Sequence, residues 1–191
     1  MKIVLIHGAL DDPSSNWFPW LGEKLEECSL EVLIPRFPTP DGQNLNTWLE
    51  IFYKLELKEE IILVGHSTGS AFILSLLERI NVPVKAAYLV AGFINPLNSV
   101  NEVCEGINLN ALVKTFINKT FDWKGIQSNC ANINVIHSKN DPYTPLSDIE
   151  YLSSQIGANF ICFDDAGHFN QTEFPELLEI LLELEQLSQN F

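Results

Sequence analysis

Basic residues are scarce: 11 Lys and Arg stand against 25 Asp and Glu, a net charge of −14. Such a surface repels phosphate backbones and anionic lipid, so neither nucleic acid nor membrane is an expected partner. Long hydrophobic runs are also missing. The apolar stretch from Met1 to Gly8 is too short for a signal peptide or a membrane span and suits a first strand, which makes the cytoplasm the expected compartment. Cysteine is sparse and unpatterned. Cys28, Cys104, Cys130 and Cys162 form no C-x-x-C pair and no metal-type spacing to His, so reduced thiols are expected. The four His lack H-E-x-x-H or any comparable spacing, and no G-x-G-x-x-G or Walker Lys occurs, so neither a metal nor a cofactor is expected. Asn118-Lys119-Thr120 and Asn170-Gln171-Thr172 match the glycosylation sequon, but without an export signal they are read as accidental.

What remains suits one domain spanning 1–191, long enough to bury roughly 70% of its unfolded surface without disulfides. Apolar runs of strand length recur at Ile3–His7, Glu31–Ile34, Ile61–Val64, Val84–Ala91, Ile133–His137 and Asn159–Phe163, with helix-period segments between them. Continuous Val/Ile/Leu runs indicate strands buried on both faces, and their alternation with helices indicates βαβ units. The expected fold is a three-layer α/β domain with a mostly parallel six-stranded sheet in the order 2-1-3-4-5-6, helices on both faces and at most a small cap. A first helix is expected near Asn16–Leu25, a further one at Leu109–Asn118 and a covering helix at Glu173–Ser188, whose stripe of Phe174, Leu177, Leu181, Leu184 and Leu187 could also serve a dimer. Core packing is favoured over pocket lining for Trp17, Trp20 and Trp48; for Phe116, Phe121 and Trp123 both readings stay open. Arg36, in the Pro-rich loop beyond strand 2, could orient a substrate carboxylate, but a surface cation is the favoured reading.

Between a strand-like run, Glu60–Val64, and a helix-like run from Ser70 stands Gly65-His66-Ser67-Thr68-Gly69. The G-x-S-x-G pattern alone is a modest signal, but strand-then-helix flanks are what a nucleophile elbow needs, with small residues allowing the tight turn. A serine hydroxyl also needs a base, and the base a third group to orient it. Asp141 lies in the loop after the fifth strand and His168 in the loop after the sixth, giving the order Ser, Asp, His at one sheet edge. Asp164 and Asp165 are poorer acids because they lie too close to His168 in sequence to fold back onto its ring. The backbone N–H of Thr68 and one from the loop after strand 1, at Ala9 or Leu10, are the candidate oxyanion donors. His7 and His66 read as structural residues and His137 as a strand residue.

Trp17-Phe18-Pro19-Trp20-Leu21, Ile61–Gly69, Trp123, Asn129-Cys130, Asn140–Pro145 and Gly167–Phe174 together make the chain resemble the small serine hydrolases typified by retinoblastoma-binding protein 9 and the bacterial YdeN proteins. The resemblance implies an α/β-hydrolase fold, a triad of Ser67, Asp141 and His168, and hydrolysis of small carboxylic esters or amides. Leu10, Trp123 and Phe169 are then the candidate substrate-binding residues. The human member's Leu-x-Cys-x-Glu segment, implicated in binding the retinoblastoma protein, is matched here by Leu55-Glu56-Leu57-Lys58-Glu59. With Leu57 where Cys would be, that partner is not carried over. A non-catalytic binding module of the same fold, or acyl transfer on the same triad, is the alternative.

Overall fold

The computed structural model describes residues 1–97, 107–117 and 120–189. Cys104 and Asn118-Lys119 of the first sequon lie outside them, as does the side chain of Leu187. The elements run β1 (Lys2–Ile6), α1 (Phe18–Glu27), β2 (Glu31–Leu33), α2 (Leu45–Tyr53), β3 (Ile61–His66), α3 (Thr68–Leu77), β4 (Val84–Val90), α4 (Leu109–Ile117), α5 (Trp123–Asn129), β5 (Ile133–Ser138), α6 (Leu146–Ile156), β6 (Asn159–Phe163) and α7 (Pro175–Gln189). All six strands pair in parallel in the order β2-β1-β3-β4-β5-β6. The expected topology is the observed one. Successive strands are added to one side of β1 as far as β2 and to the other from β3 onward, and ligand crevices form outside the strand C-termini at such a switch point.

The period-2 alternation of the strands divides the interior into two cores. Val4 and Ile6 of β1 and Ile61 and Leu63 of β3 point to one face, where they meet Trp48 and Phe52 of α2, the whole of α3, Phe116 of α4 and Ile149 of α6. Ile3, Leu5, Ile62 and Val64 point to the other, against Phe18 and Leu21 of α1 and Leu177 and Leu181 of α7. Both faces are therefore covered, which is why the central strands carry no polar alternation. α7 is a covering helix, as its leucine stripe suggests.

Aromatic placement follows from these cores. Trp17 and Trp48 are wholly buried, and Trp20 packs against the α1/α7 core, so the packing reading holds for all three. Phe116 is also fully buried, edge-on to Trp48 at 5.0 Å. β2 stops at Leu33, a residue short of the expected Ile34, and Asn118, the expected end of the helix at α4, lies outside the described residues. Among the described residues no helix is long and apolar enough to cross a membrane.

Candidate active site

The turn between β3 and α3 is tight because two glycines stand where no side chain fits. A Cβ on Gly69 would lie 2.2 Å from the Ile6 carbonyl oxygen, and one on Gly65 would lie 2.6 Å from the Gly69 backbone. Between them Ser67 takes φ 54°, ψ −116°, a left-handed conformation that costs an L-residue of order 1–3 kcal/mol. The strain lifts the Ser67 side chain out of the sheet edge at the N-terminus of α3, whose free amides favour negative charge.

Asp141 and His168 meet Ser67 there. His168 Nε2 lies 3.0 Å from Ser67 Oγ, and His168 Nδ1 lies 2.8 Å from Asp141 Oδ2. A carboxylate only accepts, so Nδ1 carries the hydrogen and Nε2 is left to accept from the serine hydroxyl. The Asp141 side chain is fully buried, and its Oδ1 accepts from the Tyr143 and Thr144 N–H groups at 2.8 and 3.1 Å. Burial alone would raise its carboxyl pKa; the hydrogen bond and charge of His168 and those two amides outweigh burial and hold it below its ordinary value. Burial likewise lowers His168 below the usual imidazole value, with the Asp141 hydrogen bond opposing the shift. The imidazole is thereby kept neutral and available as a base down to mildly acidic pH.

The loops after β5 and β6 are laced together. Ser138 Oγ donates to Asn140 Oδ1 at 2.7 Å and accepts from Ala166 N–H at 2.8 Å, and the Gly167 N–H donates to Asn140 Oδ1 at 2.7 Å. Asn140 Nδ2 donates to Asp165, and Lys139 pairs with Asp164 at 2.6 Å. Both alternative acids are thus turned away from the imidazole. On the other side, His66 Nε2 bonds the His168 carbonyl at 2.8 Å and Trp17 Nε1 donates to the Phe169 carbonyl at 3.0 Å. Tyr143 stands edge-on to the His168 ring at 4.7 Å.

The loop after β1 closes the site. The Phe37 N–H donates to His7 Nε2 at 3.0 Å, so the hydrogen of buried His7 sits on Nδ1, which donates to the Gly8 carbonyl at 2.9 Å. In a trans peptide the next amide, that of Ala9, points the opposite way. Among the described residues neither the Ala9 nor the Thr68 N–H has an acceptor, and both residues line the same cleft of about 300 Å³ as Ser67 and His168. Leu10 is different: its N–H is taken by Thr39 Oγ1 at 2.7 Å, leaving Ala9 as the free donor.

Leu10 nonetheless lines the cleft, together with Leu97, Leu109 and Val113. The crossover between β4 and β5 thus supplies one wall through α4, which is the small cap expected there. Two of the aromatic candidates are not on the cleft. Trp123 stacks on Phe121 at 4.9 Å and packs against the core, and Phe169 is fully buried among Phe163 and Phe174 because its φ of 58° turns the side chain inward as soon as His168 has been presented. The residues that brace the site, His7, His66, Asn140 and Tyr143, carry no motif spacing of their own. His66 and Asn140 sit directly beside Ser67 and Asp141, and His7 and Tyr143 two residues from Ala9 and Asp141, which was the one signal available. Among the described residues no three His, Cys, Asp or Glu side chains converge as a metal site would need.

Known proteins share the family and fold of this chain. The serine hydrolase RBBP9 of Rattus norvegicus is 27% identical over 184 residues, 94% of this chain and 93% of the relative. YdeN of Bacillus subtilis is 30% identical over 176 residues, 90% and 87% of the two chains. The crystal structure of the ydeN gene product superposes with a TM-score of 0.84 at 27% identity, covering 97% of this chain and 98% of that one. Est1E of Butyrivibrio proteoclasticus, at 15% identity over 98% of this chain and 88% of its own, shares the fold with a TM-score of 0.71. A model of the serine hydrolase family matches residues 3–183, nearly the whole length, and the chain belongs to that family.

Proposed function

We propose that this hydrolase cleaves small carboxylic esters, with amides as a second substrate class, through an acyl-enzyme on Ser67. The observation that carries the reading is the unbroken Ser67–His168–Asp141 hydrogen-bond chain opening on a cleft that also receives two unaccepted backbone amides. His168 Nε2 takes the hydroxyl proton as Ser67 Oγ attacks the carbonyl carbon, and Asp141 stabilises the imidazolium without itself taking the proton. The Ala9 and Thr68 N–H groups hold the oxyanion. Collapse of the tetrahedral intermediate breaks the bond to the alcohol or amine, which leaves with the proton from His168. Water, deprotonated by the same nitrogen, then attacks the acyl-enzyme and releases the acid and Ser67.

A cleft of about 300 Å³ suits small substrates. Labelling by a fluorophosphonate probe, with mapping of the modified peptide, tests the assignment without presupposing a substrate. Modification is expected at Ser67 and is lost in Ser67→Ala and His168→Ala, with ester turnover reduced roughly 10⁴- to 10⁶-fold. Folded wild-type protein that stays unlabelled would overturn the reading in favour of a binding module, and acyl transfer would appear as a new ester or amide among the products.

A further inference from the structure

The cleft beside Ser67 is chemically lopsided. Leu97, Leu109 and Val113 make one wall apolar, and Asp11 is its only Asp, Glu, Lys or Arg among the described lining residues. Among the described residues no Lys or Arg lines the adjoining hollow, which shares His168 and Asn170 with the cleft, either; the charged groups there are Asp165, Glu173 and Glu176. Both spaces next to the reacting atoms are therefore negative, in a chain whose net charge is −14.

Asp11 stands close to the chemistry. Its Oδ2 lies 3.0 Å from the point a Cβ on Gly8 would occupy, and Ser67 Cβ lies 3.2 Å from the same point. Among the described residues no Lys or Arg pairs with it. Oδ2 accepts from the uncharged Asn16 amide at 3.2 Å, and Arg36 is turned to Asp12 at 3.0 Å. The same oxygen faces His66 Nδ1 across 3.7 Å. His66 is 1% exposed, and its Nε2 is spent on the His168 carbonyl, so Nδ1 is a buried atom without a hydrogen-bond partner, turned toward the carboxylate. The two atoms face each other beside Ser67, beyond hydrogen-bond distance.

A bare carboxylate this near a developing oxyanion works against it, because like charges in a partly dry cleft repel strongly. A substrate that brings its own N–H-bearing cation removes the repulsion and gains a charge-assisted hydrogen bond. Resting on the hydrolase reading above, we propose that Asp11 selects esters and amides that carry a protonated amine within a few bonds of the scissile carbonyl.

The test compares kcat/KM for two matched pairs at neutral pH: 2-(dimethylamino)ethyl butyrate against 3-methylbutyl butyrate, and ethyl 2-aminobutyrate against ethyl butyrate. The first pair places the amine on the alcohol, the second on the acyl group. Because intrinsic reactivity differs within a pair, the quantity read is the cationic-to-neutral ratio in wild type divided by that in Asp11→Asn. A fall of at least about 10-fold in one pair is expected, the scale of one hydrogen bond to a charged group. Asp164→Asn, which removes an exposed carboxylate paired with Lys139, should leave the ratio unchanged. A second arm needs wild type alone: raising ionic strength from about 0.01 to about 1 M shortens the Debye length from about 30 to about 3 Å and should slow the cationic substrate selectively. Turnover and labelling at Ser67 with ratios insensitive to Asp11→Asn, or with both members of each pair responding equally to salt, overturn this inference alone. Absence of both labelling and turnover in wild type overturns the hydrolase reading and the inference with it.

Discussion

His168 carries opposing influences that set where the proposed reaction turns on. Burial pushes its pKa below the ordinary 6.5, and Asp141 pushes back. The base must be neutral, so kcat/KM should rise with pH through a midpoint below about 6.5 and level off near neutrality. A pH–rate profile for a neutral ester checks this; a midpoint well above 7 would count against His168 as the base. At this scale the hydrogen-bonded grouping of Ser67, Asp141 and His168 was legible, because the proposed nucleophilic catalysis demands those three residue types and each follows a strand at one sheet edge. Trp123 and Phe169 were not, since an aromatic residue in a loop is equally suited to a cleft wall or a core. What decides is backbone direction, and the positive φ of Phe169 leaves no trace in residue type.

At the scale of elements, the approach of α3 to β1 is the tightest constraint on the elbow. Gly69→Ala would place a methyl 2.2 Å from a backbone oxygen that no side-chain rotation can move. Overpacking of this kind costs about 1–3 kcal/mol, and more where backbone must shift. The variant should melt several degrees lower and lose ester turnover together; thermal denaturation followed by circular dichroism checks it, and an unchanged Tm would contradict the packing. Strand order was readable from the alternation of apolar runs with helix-period segments, because right-handed crossovers leave few topologies. α5 was not anticipated, as seven residues with one fully buried position, Ile126, give too little periodicity to see. Nor did periodicity reveal that α4 would wall the cleft with Leu109 and Val113 while sending Phe116 into the core.

Over the whole molecule, three buried imidazoles act in the same direction. His7, His137 and His168 all have pKa values lowered chiefly by burial. Unfolded, each takes up a proton near pH 6.5; folded, each resists until lower pH. The unfolded chain then binds more protons, so stability is fully present above about pH 6.5 and declines as pH falls through the folded values. Tm should drop measurably between pH 7.5 and pH 5.5, and His137→Asn should shrink that drop if the variant folds; a pH-independent Tm across this range would contradict the burial of the three rings. The depressed Asp141 carboxyl adds a further loss at more acidic pH, below its ordinary 3.8. Every residue of α3 is buried, whereas β6 is an edge strand and the His168 loop is half-exposed. Amide hydrogens of α3 therefore exchange with solvent only when the entire fold opens, while those around His168 exchange through local fluctuations. On warming, the machinery comes apart from its base outward: the imidazole drifts out of reach first, and the serine holds its place until the protein unfolds.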